Sequence, residues 1–317
     1  MLRLTFECTI LGRLHSLRYQ HNTQWKDCSS TQRLHDSHNY VQSFRMSDRY
    51  AVIGNPVAHS RSPEIHAAFA RQTGDDIRYE RLLAPADGFA QTLRAFRDGG
   101  ASGANVTVPF KLEAFALATE WSPRARGGKS ANTLIFDGNI IIGDNTDGVG
   151  LCRDIEQNLR QPLRGARILL VGAGGAARGV TAALLASQPE SLVITNRTQS
   201  RAVAFVEECG ESKHFYAVGA DRLSTHQFDV VINATSASLS MGMLEIPAVC
   251  FAENALAYEM MYGKGMTPFL TLAAGAGART ADGLGMLVEQ AAEAFFVWRG
   301  VRPSTASVIA QLHRRST

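Results

Sequence analysis

From Met46 onward, short apolar runs alternate with longer amphipathic stretches, the pattern of an α/β protein whose buried strands are covered by helices. Tyr50–Ile53 predicts a strand ending at Gly54-Asn-Pro56, and Ser62-Pro63 predicts a helix to about Gln72, with Ser62 as N-cap and Pro63 in its first turn. A strand over Ile77–Leu83, a helix over Asp87–Arg97 and a strand over Gly103–Val106 follow, and Pro109 starts another helix. Leu134–Phe136 and Ile140–Ile142 flank Asp137-Gly-Asn139, a hairpin signal. A helix around Gly148–Leu159 leads to a turn at Pro162–Gly165. Further strands are predicted at Leu192–Thr195, His214–Val218, Asp229–Ile232 and Ala255–Glu259. Gly283–Trp298 reads as a long helix, with Met286, Leu287, Gln290, Ala291 and Ala294 at helical spacing, and a last helix covers about Ser304–Arg314. No repeat of solenoid length is present. The expectation is two α/β domains with a cleft between them.

The first 45 residues break the pattern. They are rich in His, Ser, Gln and Arg and hold no period of two or of a helical turn, so disorder is expected there. A transit peptide is poor in acids, yet Glu7, Asp27 and Asp36 are present. The preferred reading is a translation start placed upstream of Met46.

Composition narrows the function. At 317 residues and 45% hydrophobic, the chain has room for two domains. A net charge of +3 with dispersed basic residues does not point to nucleic acid. No apolar stretch reaches the ~20 residues of a membrane span. Five cysteines (Cys8, Cys28, Cys152, Cys209 and Cys250) show neither CxxC nor metal spacing, which suggests reduced thiols in a cytoplasmic protein and no metal site.

Arg167-Ile-Leu-Leu-Val-Gly-Ala-Gly-Gly-Ala-Ala-Arg178 is an apolar strand running into a glycine turn and a helix. Gly172 allows the tight turn, Gly174 lets a pyrophosphate approach the backbone, and Ala177 keeps the helix near the sheet. The helix start offers unpaired N–H groups to phosphate. Where an acidic residue would bind the ribose of NAD, the next strand ends in Asn196, Arg197 and Thr198, with Arg201 beyond. A 2′-phosphate suits that end, hence NADP(H).

Four more clusters place polar residues in apolar, glycine-rich surroundings: His59–Pro63, Asn105–Lys111, Ala131–Thr133 and Asp144–Gly148. Alone, Lys111 reads as an exposed helix lysine and Asp147 as a helix N-cap. Together they make more chemical sense. A ketone being reduced needs a proton as hydride arrives, and the reverse reaction needs a base. Desolvation weakens the hold of a cleft lysine on its proton, whereas a neighbouring carboxylate opposes that loss and fixes the ammonium.

Eight motifs then occur in order: Ser-x-Ser-Pro-x-x-His, Asn-Val-Thr-Val-Pro-x-Lys, Ala-Asn-Thr, Asn-Thr-Asp-Gly, Gly-Ala-Gly-Gly-Ala, Asn-Arg-Thr, Asn-Ala-Thr-Ser and Gly-Leu-Gly-Met-Leu-x-x-Gln. From about Met46 to the end, the chain resembles the shikimate dehydrogenases of the NADP-dependent biosynthetic type. The resemblance implies reversible reduction of 3-dehydroshikimate to shikimate in the pathway to chorismate and the aromatic amino acids. It implies a substrate domain over residues 46–146, completed by helices within 284–317, and a Rossmann-type NADP-binding domain over 147–283.

Position by position, the resemblance puts the substrate carboxylate on Ser60 and Ser62, with Tyr262 nearby, and leaves Arg61 as a surface charge. Asn105, Thr107, Asn132, Asp147 and Gln290 match positions holding the ring hydroxyls and the ketone. Lys111 matches the catalytic acid/base, paired with Asp147. The cofactor side comprises Gly172, Ala173, Gly174, Gly175, Ala176, Asn196, Arg197, Thr198, Arg201, Asn233, Thr235, Met260 and Gly283. Monomer and homodimer are both left open.

Lys129 stands where a small residue is usual, Pro123 where an acid is common, Ala237-Ser-Leu239 lacks a common glycine, and Glu259 replaces an Asp. Phe295, Phe296, Trp298 and His66 read as packing residues, and Trp121 has no evident role. Two rivals stand against this reading. A dual quinate/shikimate dehydrogenase often uses NAD and carries an acid where Asn196–Arg201 lie. A non-catalytic redox sensor needs neither the Lys–Asp pair nor the serines.

Overall fold

Two six-stranded sheets organise the protein. The computed structural model describes residues 47–235, 246–263 and 265–315, all within the unit Met46–Thr317. The expectations for residues 1–45 and for Ala237–Leu239 lie outside the described residues.

The first sheet holds β1 (Asp48–Gly54), β2 (Ile77–Leu83), β3 (Ala101–Val106), β4 (Glu120–Trp121), β5 (Thr133–Asp137) and β6 (Ile140–Asp144), in the order β2-β1-β3-β5-β6-β4. β1 runs parallel to β2 and β3. The turn at Asp137–Ile140 sets β5 antiparallel to β6, and β5 also runs in reverse against β3. That reversal brings the start of β5 beside the end of β3, with Asn105 opposite Thr133. Helices α1 (Ser62–Thr73), α2 (Phe89–Asp98), α3 (Lys111–Leu117) and α4 (Pro123–Gly128) fill the connections. Ala51, Ile53, Ala104, Val106 and Leu134 face a core with Phe89, Leu93, Phe96 and Phe110.

The second sheet holds β7 (Arg167–Val171), β8 (Ser191–Thr195), β9 (Phe215–Ala217), β10 (Phe228–Asn233), β11 (Phe251–Glu259) and β12 (Arg279–Asp282), in the order β12-β11-β10-β7-β8-β9. Every pairing in it is parallel. Counted from β7, this is the order of the doubly wound dinucleotide fold, which reverses between β7 and β10. Side chains alternate between two cores, as a sheet covered on both faces requires. Ile168, Leu170, Ile194 and Ile232 face α6 (Gly175–Ala186) and α7 (Gln199–Cys209), while Leu169, Val171, Val193 and Val231 face α8 (Pro268–Gly275). Each fully buried aliphatic or phenyl side chain contributes about 1.5–3 kcal/mol.

α5 (Asp147–Arg153) continues as a π-helical turn over Asp154–Asn158, so the single helix expected over 148–159 is two pieces. α9 (Leu284–Arg299) and α10 (Ala306–Arg314) return to the first sheet, where Val288, Ala291, Phe295 and Leu312 pack on Ile65 and Phe69 of α1. Trp298 stacks on Tyr50 with ring centroids 4.4 Å apart, and Trp121 donates Nε1 to Phe115 O at 2.8 Å.

Ser62 is not the N-cap of α1. That place is taken by Arg61, and the Ser62 hydroxyl lies against Ser60 instead of capping its own helix. The helix expected from Pro109 begins at Lys111, whose Nζ is thereby carried on a first turn.

Among the described residues, no helix is long and apolar enough to cross a membrane, and no group of three His, Cys, Asp or Glu is placed to hold a metal ion. Cys152, Cys209 and Cys250 are free, and burial pushes their thiols up, to about 12 for Cys152 and about 11 for Cys250.

Candidate active site

Lys111 Nζ donates to Asp147 Oδ2 at 2.6 Å, with side chains 20% and 6% exposed. The two stand at the starts of α3 and α5, one after β3 and one after β6. Thr146 stands at the N-cap position of α5 without a side-chain capping bond, and the Asp147 carboxylate in the first turn faces Lys111. Its other oxygen, Oδ1, accepts from Asn132 Nδ2 at 2.8 Å. Both carboxylate oxygens are therefore held, and the ammonium is held through them.

Asn132 is the hub of this arrangement. Its Oδ1 accepts the Thr146 N–H at 2.8 Å, and its Nδ2 also reaches Gln290 Oε1 at 3.2 Å on α9. Close approach of two helices brings Gln290 there. A Cβ on Gly150 of α5 would stand 2.6 Å from the Gln290 Cβ, so only glycine fits. Asn105 donates Nδ2 to Asn132 O at 3.2 Å and to Thr133 Oγ1 at 3.0 Å. Lys111, Asn105, Asn132, Asp147 and Gln290 thus form one connected group.

Ser60 and Ser62 lie at the far end. Ser60 Oγ donates to Ser62 Oγ at 3.2 Å, and Arg81 Nε donates to Ser60 O at 2.8 Å. Arg61 turns away, donating to Leu312 O at 3.4 Å. Tyr262, in the segment after β11, packs against the core of α1 and α9, and burial pushes its phenol up, with Arg61 opposing. Thr107 stands apart from this network. Its N–H donates to Ile53 O at 2.9 Å, and its methyl is directed at Gly54.

The residues expected to meet the dinucleotide line successive strand ends of the second sheet, from β8 through β7 and β10 to β11. Gly172 adopts φ 116° and donates its N–H to Thr195 O at 2.8 Å, which joins the first two ends. Gly174 caps α6, and Cβ atoms on Gly174 and Gly175 would meet nothing within 4 Å. The ground before the helix N-terminus is open to a pyrophosphate, with Ala173 and Ala176 flanking it. Asn196 Nδ2 closes its turn on Thr198 O at 2.9 Å, while Arg197, Thr198 and Arg201 are exposed, as a 2′-phosphate requires. Asn233 Oδ1 accepts from Thr235 Oγ1 at 2.8 Å, Met260 N–H donates to Asn233 O at 3.0 Å, and Gly283 N–H donates to Met261 O at 3.1 Å.

Four residues whose roles sequence reasoning missed hold these groups in place. Tyr79 donates to Asn105 Oδ1 at 2.7 Å. Glu259, wholly buried, accepts from Asn233 Nδ2 at 2.9 Å and from the Met261 N–H at 3.2 Å; its replacement of the usual Asp was visible, its role was not. Arg124 forks onto Asp144, with Nε at 2.7 Å and Nη2 at 2.6 Å, and reaches Glu293 on α9 at 2.8 Å. Glu293 also takes Arg153 at 2.8 Å and Arg302 at 2.6 Å. Burial opposes ionisation of Glu293, but Arg124 and Arg302 outweigh it and hold the carboxyl down to about 2. Lys129 points away from Asn132. It adopts φ 44° and donates to Glu208 Oε1 on α7 at 2.6 Å, beside Arg178.

Three family models match the chain: the shikimate dehydrogenase substrate-binding domain over residues 52–134, shikimate/quinate 5-dehydrogenase over 154–243, and the shikimate 5′-dehydrogenase C-terminal domain over 283–313. The shikimate dehydrogenase (NADP(+)) of Dechloromonas aromatica is 58% identical over 85% of this chain and 99% of its own length. The chain belongs to the shikimate dehydrogenase family. Among solved structures, an Ael1 enzyme from Pseudomonas putida is 48% identical, with a TM-score of 0.78 over 84% of this chain and 98% of its own. A shikimate 5-dehydrogenase from Thermus thermophilus, solved with NADP(H) and shikimate, is 32% identical, with a TM-score of 0.75 over 85% of this chain and 100% of its own. The two-sheet architecture is that of the family, with a Rossmann-type sheet beside an α/β sheet.

Proposed function

We propose that the chain catalyses the reversible, NADP-dependent reduction of 3-dehydroshikimate to shikimate, on the way to chorismate and the aromatic amino acids. The observation that carries this reading is the enclosed Lys111–Asp147 pair at 2.6 Å, set among the carboxamides of Asn105, Asn132 and Gln290.

NADPH, when bound, supplies hydride to the substrate ketone, and NADP⁺ takes it back in the reverse direction. Lys111 gives a proton to the oxygen as negative charge develops on it, and removes that proton during oxidation. Asp147, clamped by Asn132, keeps the ammonium aimed, so no reorganisation is needed at the moment of reaction. Ser60 and Ser62 receive the substrate carboxylate, with Tyr262 beside them. Asn105, Thr107, Asn132 and Gln290 hold the ring hydroxyls and the ketone.

On the cofactor side, Gly172–Ala176 cradle the pyrophosphate and Asn196, Arg197, Thr198 and Arg201 take the 2′-phosphate, with Asn233, Thr235, Met260 and Gly283 completing the surface. In this reading residues 46–146 with 284–317 form the substrate domain, residues 147–283 form the NADP-binding domain, and the protein works in the cytoplasm.

The test is steady-state turnover followed by nicotinamide absorbance, pairing shikimate or quinate with NADP⁺ or NAD⁺. The reading expects shikimate with NADP⁺ to be the best pair. Preference for quinate with NAD⁺ would favour the dual-specificity relative, and NADPH binding without turnover would favour a sensor.

A further inference from the structure

Asn145 lies between β6 and α5, two residues before Asp147, and no step of the proposed reaction uses it. Its side chain is buried, and both ends of the carboxamide are engaged. Oδ1 accepts the Asp147 N–H at 3.1 Å. That N–H opens α5 and so has no partner within the helix, and Thr146 at the N-cap position gives it no side-chain bond. At the other end, Nδ2 donates to Ser130 O at 3.0 Å. The Asn145 N–H donates to Asp144 Oδ1 at 2.7 Å, on the carboxylate that Arg124 grips.

The bond to Ser130 leads back to Lys111. Ala131, next to Ser130, donates its N–H to Lys111 O at 3.0 Å. The backbones of the lysine and the aspartate are therefore tied through Ala131, Ser130 and Asn145, apart from the contact of their side chains. All three tying residues are buried, and a low local dielectric strengthens each bond. Helix α6 closes the arrangement: a Cβ on Gly179 would stand 3.1 Å from Asn145 Nδ2 and 3.4 Å from Oδ1, which leaves the carboxamide no room to swing that way. An ammonium on a flexible four-carbon stem stays aimed only if the carboxylate that meets it is fixed. Asn132 fixes the Asp147 side chain, and Asn145 fixes the backbone that carries it.

We propose that Asn145 is a positioning residue of the acid/base pair, holding the Asp147 backbone at a set distance from that of Lys111 by bridging to Ser130. The inference rests on the proton-exchange role of Lys111 given above and deepens it.

The experiment is Asn145→Ser, assayed by oxidation of shikimate with NADP⁺. A serine hydroxyl can still accept the Asp147 N–H but is too short to reach Ser130 O. kcat should fall about tenfold, the scale of a small misalignment, while KM for shikimate and for NADP⁺ stay within about twofold. A role in stability alone would lower the thermal midpoint and leave kcat of the folded protein intact. Placed on Lys111→Ala, the same substitution should lower kcat by less than about twofold, because the pair it aligns is already broken. Asn145→Asp keeps the size and the acceptor but loses the same donor, so the same split is expected, and it decides the question if Asn145→Ser does not fold. An unchanged kcat in the folded variant, a loss carried wholly by KM, or an equal fall with and without Lys111 would each overturn the proposal. Near-normal turnover of Lys111→Ala alone would instead overturn the proton-exchange reading.

Discussion

Gly179 of α6 lies directly against the carboxylate of Asp147: a Cβ on it would stand 3.0 Å from Oδ2 and 3.1 Å from Asn145 Nδ2. The helix that follows the glycine turn of the dinucleotide motif therefore touches the carboxylate that steadies Lys111. Asp147 cannot yield, because Lys111 and Asn132 hold its two oxygens at 2.6 and 2.8 Å. Gly179→Ala should raise helix propensity by about 0.5–1 kcal/mol while misplacing the carboxylate. The expected result is a kcat about tenfold lower with an undiminished thermal midpoint, since a displacement of this kind acts on alignment. Normal turnover would mean that the contact does not matter.

Glu259 joins three segments of the cofactor side through Asn233 Nδ2, the Met261 N–H and Thr267 Oγ1, at 2.9, 3.2 and 3.3 Å. Each of these partners donates. Glu259→Gln sets an amide N–H against one of them, a mismatch costing about 1–3 kcal/mol in a buried site. KM for NADP⁺ should rise more than KM for shikimate, and equal changes in the two would show that Glu259 serves stability alone.

Glu293 ties acid stability to the junction of α4, α5 and α9. Its carboxyl is held down to about 2, against an ordinary value of 4.5. A depressed folded value stabilises the protein above the unfolded value, and that gain disappears as pH falls from about 4.5 towards 2. Glu293→Gln should lower stability at neutral pH by about 1–3 kcal/mol and flatten the acid limb of a stability–pH curve. Parallel curves for the two proteins between pH 5 and 2 would refute the assignment.

Lys129 is the departure nearest Asn132 along the chain, yet its side chain turns outward to Glu208. Its pair with Glu208 is exposed, 57% and 34% on the two sides, and such pairs contribute at most about 1 kcal/mol. Its φ of 44° favours glycine, so Lys129→Gly offsets the lost pair by relieving the backbone. Turnover and thermal midpoint should both hold. A large fall in kcat would show that Lys129 does shape the loop around Asn132.

What the sequence revealed was local. The Asp137-Gly-Asn139 turn, the strand–glycine–helix unit at Arg167–Arg178 and the strand over Ile77–Leu83 each announce themselves within a few residues, and the structure has them at those positions. β4, with two residues, is too short to show a period, and β12 is largely polar. Thr267-Pro268 carries a helix-start signal: Thr267 Oγ1 accepts the Leu270 N–H at 3.3 Å and caps α8. Tyr79, Arg124 and Glu293 were hidden for a different reason. Arg124 meets Glu293 across 169 positions of chain, and no periodicity or motif marks a pair that only the fold brings together. Lys111 and Asp147 were legible because each stands in a polar cluster at a strand end, where α/β proteins bind their ligands.

The central claim, that Lys111 exchanges the proton, is tested most directly by the kcat of Lys111→Ala with shikimate and NADP⁺, measured beside its KM values. The account predicts a fall of about 10²–10⁴ in kcat, the usual scale for losing general acid–base help, with a smaller change in KM for shikimate. Near-normal turnover in the folded variant would contradict it.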